Sequence, residues 1–486
     1  MKGAFLVFIS CLALSAPAWA EEPALPAGLG GVPPSSSEPS LPAGLGGGDE
    51  PLLPAGLETA QTAEEEEPDP FFTEEDFEER TGWNDALPFD LSGFWEARAG
   101  RRLQSDSYEK DASLGETRLQ LQADKDFGPF ASRVTADFLY DPVLNRHRIN
   151  LDDGAGWLDL REAWASFSPL DFMDVKAGRQ ILTWGTGDLV FINDLFPKDW
   201  NAFFIGRDVE YLKAPSDALK TSVFSGFANL DVVYTPNFDA DRGIDGRRIS
   251  FYNGNLGRLS GRDFPVIPDR RGNWFAEDEV ALRLYRNFEA FETALYYYDG
   301  YWKSPAGQTA GGVATYPGLR AVGASIRGPI FQGIGNLETG YYDSKDDPDG
   351  NNPLIRNAEY RFLAGYEQEI ATELTAGLQY YLERIDSYDA YRATLPTGAF
   401  QRDKNRHMIT LRLTKRMMDQ NLTASLFTFW SPSDDDGYVR PKINYKLNDQ
   451  WTVEAGGNVF FGDDRRTFFS QFEDNSNAYV SMRYSF

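Results

Sequence analysis

The last nine residues, Ala478-Tyr-Val-Ser-Met-Arg-Tyr-Ser-Phe486, form a strictly alternating pattern that ends on an aromatic residue. On an extended strand, one face would carry Ala478, Val480, Met482, Tyr484 and Phe486. Period-two alternation is typical of a β-strand whose two faces meet different surroundings. The segment therefore predicts either the closing strand of a β-barrel or the last strand of a soluble β-sandwich.

The amino terminus has the three parts of a secretory signal. Met1-Lys2-Gly3 is followed by an apolar run from Ala4 to Leu14 and by the small-residue site Ala18-Trp19-Ala20. We therefore predict a signal peptide over residues 1–20. The single cysteine, Cys11, lies inside it, so a lipoprotein is an alternative, although cleavage there would leave an unusually short apolar region.

Together, the signal peptide and the terminal strand resemble the precursors of outer-membrane β-barrels in Gram-negative bacteria. The resemblance implies residence in the cell outer membrane, contact with its lipids and lipopolysaccharide, and recognition of the Phe486 strand by the barrel assembly machinery. Composition agrees, because aromatic residues make up 14% of a chain whose mean hydropathy is −0.45. That combination is expected when one strand face meets lipid and the other meets water.

Residues 21–82 differ in composition from the rest of the chain. They hold three near-copies of one octet, Glu22–Leu29, Glu38–Leu45 and Glu50–Leu57, and the acidic run Glu64–Glu67. Such a segment buries too little apolar surface to offset its ordering entropy, so we predict a disordered tail in the periplasm. Its repeats predict docking of a periplasmic partner, and a low-complexity spacer is the alternative. The predicted docking residues are Leu25, Leu29, Leu41, Leu45, Leu53 and Leu57.

Charge is unevenly divided between this tail and the remainder. The tail carries 16 acidic residues against Arg80 alone, a net charge of −15, while residues 83–486 carry 45 basic and 58 acidic residues, or −13. With Lys2 added, the sum is the net charge of −27. Neither part predicts the basic face that binding to nucleic acid requires.

From residue 83 onward, period-two segments alternate with turn signals, and short turns alternate with longer loops rich in Asp, Gly and Asn. This is the pattern of outer-membrane barrels. We predict an all-β fold, a transmembrane antiparallel β-barrel of about 18 strands over residues 83–486, with 16 strands as the alternative and both termini in the periplasm. The predicted strands are 89–103, 114–126, 130–142, 157–168, 172–184, 217–225, 229–236, 277–288, 290–300, 318–328, 331–344, 358–370, 373–386, 405–416, 421–431, 437–447, 450–461 and 475–486.

Alternation also assigns the strand faces. In the strand 450–461, Val453 and Val459 are predicted to face lipid, and Glu454 and Asn458 to face the lumen. A charge in the hydrocarbon midplane costs on the order of 2 to 4 kcal/mol, which disfavours a one-residue slip. The alternative to a selective lumen is a set of solvated or mutually paired charges. The charged residues predicted to face the lumen are Glu96, Arg98, Arg118, Arg133, Asp137, Arg161, Arg179, Arg283, Arg361, Arg412, Arg440, Lys442 and Arg483.

The connection 185–216 is too long and too rich in Leu, Phe and Ile to remain in water. We predict that it folds into the barrel as a constriction loop, and an external loop packed on its neighbours is the alternative. The predicted constriction residues are Phe191, Phe196, Trp200, Phe203 and Phe204, with Asp194, Lys198, Asp199 and Arg207 as a polar rim.

The stretch Ala177-Gly-Arg-Gln-Ile-Leu-Thr-Trp-Gly185, continued by Ile192-Asn-Asp-Leu-Phe-Pro-Lys-Asp199, resembles a family of large outer-membrane barrels. That family includes porin-like and alginate-export-like channels and barrels of unknown function associated with RND-type exporters. The resemblance implies a channel or export conduit for a small molecule, a saccharide or an amphiphile, with a periplasmic carrier or an RND-type exporter as a candidate partner. It does not extend to the repeated tail.

Two other functions compete with this one. A general diffusion porin with a spacer tail would need no partner. An outer-membrane hydrolase would have to use His147 or His407, the two histidines, and neither stands near a nucleophile motif. We therefore predict no enzymatic activity, no catalytic residue, no cofactor and no metal site.

Overall fold

Eighteen strands pair antiparallel in chain order around a closed ring. The computed structural model describes residues 87–144 and 148–486. The barrel strands are β1 (Asp90–Arg102), β2 (Ala112–Asp126), β3 (Phe130–Tyr140), β4 (Leu158–Leu170), β5 (Met173–Ile181), β6 (Pro215–Val223), β7 (Asn229–Thr235), β10 (Glu279–Phe288), β11 (Phe291–Tyr301), β14 (Gly318–Ile330), β15 (Gly333–Ser344), β16 (Glu359–Ala371), β17 (Leu374–Ile385), β18 (Asn405–Met417), β19 (Leu422–Ser431), β20 (Asp436–Lys446), β21 (Trp451–Gly462) and β22 (Asn477–Ser485).

The remaining elements lie in the long connections. Two small hairpins are formed by β8 (Phe251–Asn253) with β9 (Arg258–Ser260), and by β12 (Gly307–Gln308) with β13 (Ala314–Thr315). The α-helices are α1 (Trp200–Ile205) and α2 (Tyr388–Thr394), and the 3₁₀ helices are Val209–Leu212 and Ser470–Asn475. Within the described ranges, no helix has the length and apolar character needed to cross a membrane.

The terminal strands close the ring. β22 pairs with β21 on one side and with β1 on the other, where Trp95 lies opposite Tyr484 and Ala99 opposite Val480. Beyond the last strand pair, Gly93 and Phe486 exchange two backbone hydrogen bonds, each 3.0 Å long. Closure leaves neither β1 nor β22 as an open sheet edge.

The predicted all-β barrel of 18 strands is confirmed, and no strand end differs from its prediction by more than three residues. Short turns join β2 to β3, β4 to β5 and so on around one end. Longer loops join the strands at the other end, except for the four-residue connection 432–435 between β19 and β20. The rule for outer-membrane barrels predicts that the short-turn end faces the periplasm and that the long-loop end, which we call the external end, faces outward. The predicted signal peptide 1–20, the tail 21–82 and its six docking leucines lie outside the described residues.

The two faces of each strand differ as alternation requires. In β21, Val453 and Val459 are exposed on the outside, whereas Glu454 and Asn458 are buried inside. An apolar band of this kind is the surface expected of a barrel that spans a lipid bilayer. Its larger outward side chains include Trp95, Phe130, Val134, Phe138, Leu219, Leu284, Leu295, Val322, Ile326, Leu337, Phe362, Leu378, Trp430, Ile443, Val480 and Met482.

The main apolar core lies within the barrel. It combines inward side chains of the strands, such as Leu319, Leu363 and Phe460, with side chains from the β5–β6 connection, such as Ile192 and Phe204. A barrel of this size is too wide for its inward side chains alone to fill. The β5–β6 connection therefore supplies the material that packs the lumen.

Because the outward band faces lipid, a charged side chain placed there at mid-strand should destabilise the protein. Leu295 lies near the middle of β11 and is exposed on the outside, so Leu295→Arg should lower the free energy of unfolding by about 2 to 4 kcal/mol. Urea unfolding of the protein in lipid vesicles, followed by tryptophan fluorescence, measures this. Gln122→Arg is the control, because Gln122 faces the lumen beside Asp124 and should cost less than half as much. Equal losses in both variants would contradict the assigned faces.

Candidate functional site

The connection between β5 and β6, residues 182–214, lies inside the barrel, and we call it the inward loop. Its hydrogen bonds reach β15 on one side and β20 and β22 on the other. Helix α1 lies within it, with the Asp199 carboxylate accepting a 2.7 Å hydrogen bond from the amide of Ala202 at its start. The helix ends at Gly206.

Gly206 shows why the sequence turns where it does. Its φ of 88° is a left-handed conformation that favours glycine. A Cβ at this position would lie 2.2 Å from the ring of Tyr479 on β22. Backbone conformation and close approach thus both require glycine where the inward loop meets the barrel wall.

One side of the inward loop is held by Glu338 of β15, which is 1% exposed. Its carboxylate accepts hydrogen bonds from the amides of Thr186 at 2.9 Å, Gly187 at 3.2 Å and Asn193 at 2.8 Å. The Asn193 side-chain amide donates a further bond of 2.9 Å. One buried carboxylate thus satisfies three backbone donors that would otherwise lack partners in the lumen.

Asp188 makes a second attachment on the same side. Its amide donates to the Gln379 side chain of β17 at 2.7 Å, and Gln379 donates back to the Asp188 carbonyl at 2.8 Å. Arg412 of β18 donates to the Asp188 carboxylate at 2.7 Å. The first half of the loop is therefore fixed to three strands, β15, β17 and β18.

The second half of the loop is fixed mainly through its backbone carbonyls. Arg98 of β1 donates to the carbonyl of Gly206, Arg440 of β20 to that of Arg207 at 2.9 Å, and Arg161 of β4 to that of Lys213 at 2.9 Å. These groups would be unpaired at the end of a short helix. Lumen arginines thus cap the inward loop from several directions.

Aromatic packing completes the attachment. Phe204 contacts Phe460 of β21 with ring centroids 5.1 Å apart, and Phe472 at 5.2 Å. Phe203 contacts Tyr438 of β20 at 5.7 Å in an edge-on arrangement. Such pairs contribute roughly 0.5 to 1.5 kcal/mol each beyond the area they bury.

The structure brings the predicted constriction residues together, with one difference in their arrangement. Phe191 and Trp200 are half-buried and contact each other, whereas Phe196, Phe203 and Phe204 are buried. The residues predicted as a polar rim are instead largely paired within the protein: Asp194 with Lys198 at 2.9 Å, Asp199 with Arg242 at 3.6 Å, and Arg207 with Glu116 at 3.1 Å. Burial of these charges requires such partners.

Two adjoining chambers lie against the inward loop. One has a volume of about 530 Å³ and the other about 760 Å³. Both are bounded by Trp200, Arg356 and Phe468, which therefore stand between them. Each chamber is large enough for a small organic solute.

The wall of the smaller chamber opposite the inward loop is rich in arginine. Arg402 pairs with Glu383 at 2.7 Å, and Arg356 pairs with the same carboxylate at 3.2 Å. The guanidinium of Arg361 lies 3.8 Å from the ring centroid of Tyr342. This wall offers charged donors and aromatic faces, while Phe191 and neighbouring residues of the inward loop offer an apolar surface.

Sequence reasoning missed Arg356 and Arg402 because both lie in external loops, where alternation assigns no direction. It also missed the loop between β7 and β10, residues 236–278, which covers part of the larger chamber. Arg242 of that loop pairs with Asp159 of β4 at 2.8 Å and with Asp199 of the inward loop. Only the richness in Arg and Asp of residues 239–248 gave a signal in the sequence.

Most of the predicted lumen residues face inward. Arg133 pairs with Asp124 at 2.6 Å, Arg283 with Glu292, and Arg483 with Glu96 at 3.1 Å. The other inward-facing members are Glu96, Arg98, Arg118, Asp137, Arg161, Arg361, Arg412, Arg440 and Lys442.

The prediction that Arg179 faces the lumen is wrong, because Arg179 faces outward at the external end of β5. It lies opposite Asp217, on the face that also carries exposed Leu219, and its guanidinium bonds that carboxylate at 2.9 Å. Lys176 points inward and stacks on Trp164 instead. Positions 176 and 179 have opposite parity, so a regular strand can place only one of them in the lumen.

Burial among acidic groups near the smaller chamber raises the pKa of one carboxyl group. Asp239, which follows β7, has its pKa raised to about 7, mainly by burial and further by the nearby Glu279 and Asp217, against the opposing effect of Lys303. The Asp239 carboxylate accepts a 3.0 Å hydrogen bond from the amide of Asp217. Asp239 is therefore a group whose charge changes near neutral pH.

Neither catalysis nor metal binding gains support from the described ranges. His407 lies on the outward face of β18, and its Nδ1 lies 2.7 Å from the Tyr380 hydroxyl. His147 lies outside the described residues. Among residues 87–144 and 148–486, no group of three or more His, Cys, Asp or Glu side chains is arranged to hold a metal ion.

No protein-family model and no curated protein matches the chain. Similar solved structures include Acinetobacter baumannii OccAB4, with 10% identity, a TM-score of 0.49 and coverage of 83% of this chain and 100% of that one. Pseudomonas aeruginosa OccK11 (OpdR) has 10% identity, a TM-score of 0.48 and coverage of 81% and 95%. Pseudomonas putida OprB has 10% identity, a TM-score of 0.41 and coverage of 82% and 94%. Structural similarity at this level of sequence identity does not identify a substrate for this protein.

The attachment at Glu338 predicts a large effect of removing its carboxylate. Glu338→Ala leaves three loop amides without acceptors and should lower the free energy of unfolding by about 2 to 4 kcal/mol. Hydrogen exchange at Thr186, Gly187 and Asn193 should become faster. Glu292→Ala is the control, because the Glu292 pair with Arg283 is half-exposed and should contribute at most about 1 kcal/mol. Unchanged exchange at the three amides would contradict the attachment.

Asp239 predicts a dependence of stability on pH. Because its pKa is about 7 in the folded protein and near 4 when unfolded, the folded state alone retains the proton between these values. Its contribution to the free energy of unfolding therefore falls as the pH rises from about 4 to 7. Asp239→Asn removes this contribution, so the variant should gain stability relative to wild type between pH 5 and pH 8. A constant difference in unfolding midpoint over that range would contradict the shift.

Proposed function

We propose that this protein is a channel of the bacterial outer membrane for small solutes, in which the inward loop forms the constriction. The observation that carries the proposal is a closed 18-strand barrel whose lumen is crossed by a segment fixed on opposite sides. A barrel of this width holds an aqueous path unless inserted segments narrow it. The outward apolar band supports residence in a lipid bilayer. Because β1 begins at the short-turn end, we place the amino-terminal tail in the periplasm.

The smaller chamber favours a solute that has both an apolar part and a group rich in oxygen. Phe191, Leu195 and Trp200 line one side, whereas Arg402 and Arg406 line another. Apolar surface binds greasy or sugar faces, and guanidinium groups bind carboxylates and other acceptors through charge-assisted hydrogen bonds. We infer that a bare inorganic ion uses few of these contacts and that an amphiphile or a saccharide acid uses most of them.

The direction of transport and the identity of partners belong to the same proposal. An export conduit would receive its amphiphile from a periplasmic carrier or an RND-type exporter, docked through the tail. A general porin would use the tail as a spacer only. Loss of export after removal of the three octets would favour the conduit, and unchanged export would favour the porin.

Planar-bilayer conductance tests the constriction. Deletion of Leu189–Arg207 removes most of the loop that crosses the lumen, so single-channel conductance should rise several-fold over the full-length protein. The control shortens the exposed turn between β12 and β13 by removing Ala310 and Gly311, which lie outside the lumen contacts, and should leave conductance unchanged.

Both variants are first checked for barrel assembly by detergent electrophoresis of unheated samples, in which an assembled barrel remains folded. Equal conductance of the full-length protein and the assembled loop deletion would overturn the constriction. A steady, wide conductance in the full-length protein itself would favour the general porin.

A further inference from the structure

The boundary between the two chambers carries two aromatic side chains that the protein leaves partly open. Trp200 is half-buried and Phe468 is 44% exposed, and each of them lines both chambers. They lie in the lumen and not on the outward band, so the bilayer does not cover them. Open aromatic faces inside a concave site are typical of a surface that binds a ligand.

Asp241, in the loop between β7 and β10, sets the position of Trp200. The Asp241 side chain is 6% exposed. Its carboxylate accepts hydrogen bonds from the amide of Lys198 at 2.8 Å, from the indole of Trp200 at 3.2 Å and from the hydroxyl of Ser304 at 2.5 Å. Three long connections of the barrel thus meet at one carboxylate. Asp241 is therefore a positioning residue for the indole.

The backbone next to Asp241 holds the same tryptophan from another direction. The amide of Trp200 donates to the carbonyl of Arg242 at 3.2 Å, and the amide of Arg242 donates to the carbonyl of Lys198 at 2.8 Å. The Phe191 ring contacts the indole with centroids 6.3 Å apart. Trp200 is thus fixed by backbone, side chain and ring contacts. A solute that passes between the chambers has to fit against it.

Charged groups around both chambers are arranged as ion pairs. Arg402 pairs with Glu383 at 2.7 Å in the smaller chamber, and Arg247 pairs with Asp245 in the larger one. Each pair presents N–H donors beside carboxylate acceptors. A hydroxyl group can bond to both members of such a pair, because it is a donor and an acceptor at once. A carboxylate of a solute would instead have to displace the acid that is already in place.

An alkyl chain and a sugar ring would use these walls unequally. An alkyl chain would remove water from the ion pairs and return no hydrogen bond, which costs free energy. A sugar ring has an apolar face that can lie on an aromatic side chain and hydroxyls at its edge that can bond to the ion pairs. The presence of aromatic rings beside ion pairs in both chambers therefore favours a saccharide over an alkyl amphiphile.

We propose that the two chambers are two subsites for one oligosaccharide, which crosses from one chamber to the other over Trp200 and Phe468. This rests on the proposed channel function and specifies its solute. The chambers, at about 530 and 760 Å³, each have the size of a pocket for one ligand. Linked sugar units make the second binding event intramolecular, so affinity rises with chain length until both subsites are filled.

Isothermal titration calorimetry on the full-length protein in lauryldimethylamine oxide micelles tests this without any conductance. The probes are two series of sugars, glucose to maltohexaose and glucose to cellopentaose. In at least one series, Kd should fall by about tenfold or more from glucose to the longest oligomer and should reach a plateau within the series. Equal affinity for all lengths in both series, or no binding, would overturn the two-subsite site and leave the channel itself intact.

Variants at the boundary test whether Trp200 carries the length dependence. Trp200→Ala should lower the affinity ratio of the longest oligomer to glucose by about threefold or more, because it removes the aromatic face over which the chain crosses. Asp241→Asn should lower the same ratio and leave the affinity for glucose unchanged, because it releases the indole without removing it. Trp274→Ala should keep the full ratio, because Trp274 is an exposed tryptophan of the same β7–β10 loop and lines neither chamber.

Each variant is checked for barrel assembly by electrophoresis of unheated samples before titration. If Trp200→Ala does not assemble, Asp241→Asn decides the outcome. A full affinity ratio in an assembled boundary variant, or an equal loss of affinity for glucose and for the longest oligomer, would overturn the role of the boundary.

Discussion

Pairing of every barrel strand with two neighbours is the constraint on which this structure depends. A bilayer offers no partner for an unpaired backbone amide, so a sheet within it must close on itself. Closure here rests on β1 and β22, the first and last strands, joined from Phe94 and Ser485 to Arg102 and Asn477. The ring therefore cannot close until β22 has been synthesised, and every other feature is arranged around the space that the ring encloses.

The enclosed space explains where the lumen charges act. An inserted segment brings backbone groups away from the sheet, and each of those groups needs a partner. Arg98, Arg161 and Arg440 supply partners to its carbonyls, and Glu338 supplies them to its amides. The side chains that alternation places inside a barrel wall thus hold a second layer of structure rather than simply lining a pore.

The same insertion creates two unlike surfaces in the external half of the lumen. The inward loop turns aromatic and aliphatic side chains toward the chambers, while the loops above β16, β17 and β18 turn guanidinium groups toward them. These arginines are themselves paired with Glu359 and Glu383, which keeps the chamber close to neutral. Such pairing moderates attraction for any one charge and leaves shape and apolar contact to discriminate between solutes.

The sequence alone determined the strand number, the strand bounds and most strand faces, because period-two alternation is a local property that lipid on one side and water on the other impose directly. It also predicted that residues 185–216 pack against the rest of the protein, because they are rich in Leu, Phe and Ile, but it left open whether they do so inside or outside the barrel. Tertiary structure alone decided the partners of that segment, for Glu338 and Asn193 are 145 positions apart. It also decided between Lys176 and Arg179, whose local patterns are equivalent and whose directions depend on Trp164 and Asp217 of neighbouring strands.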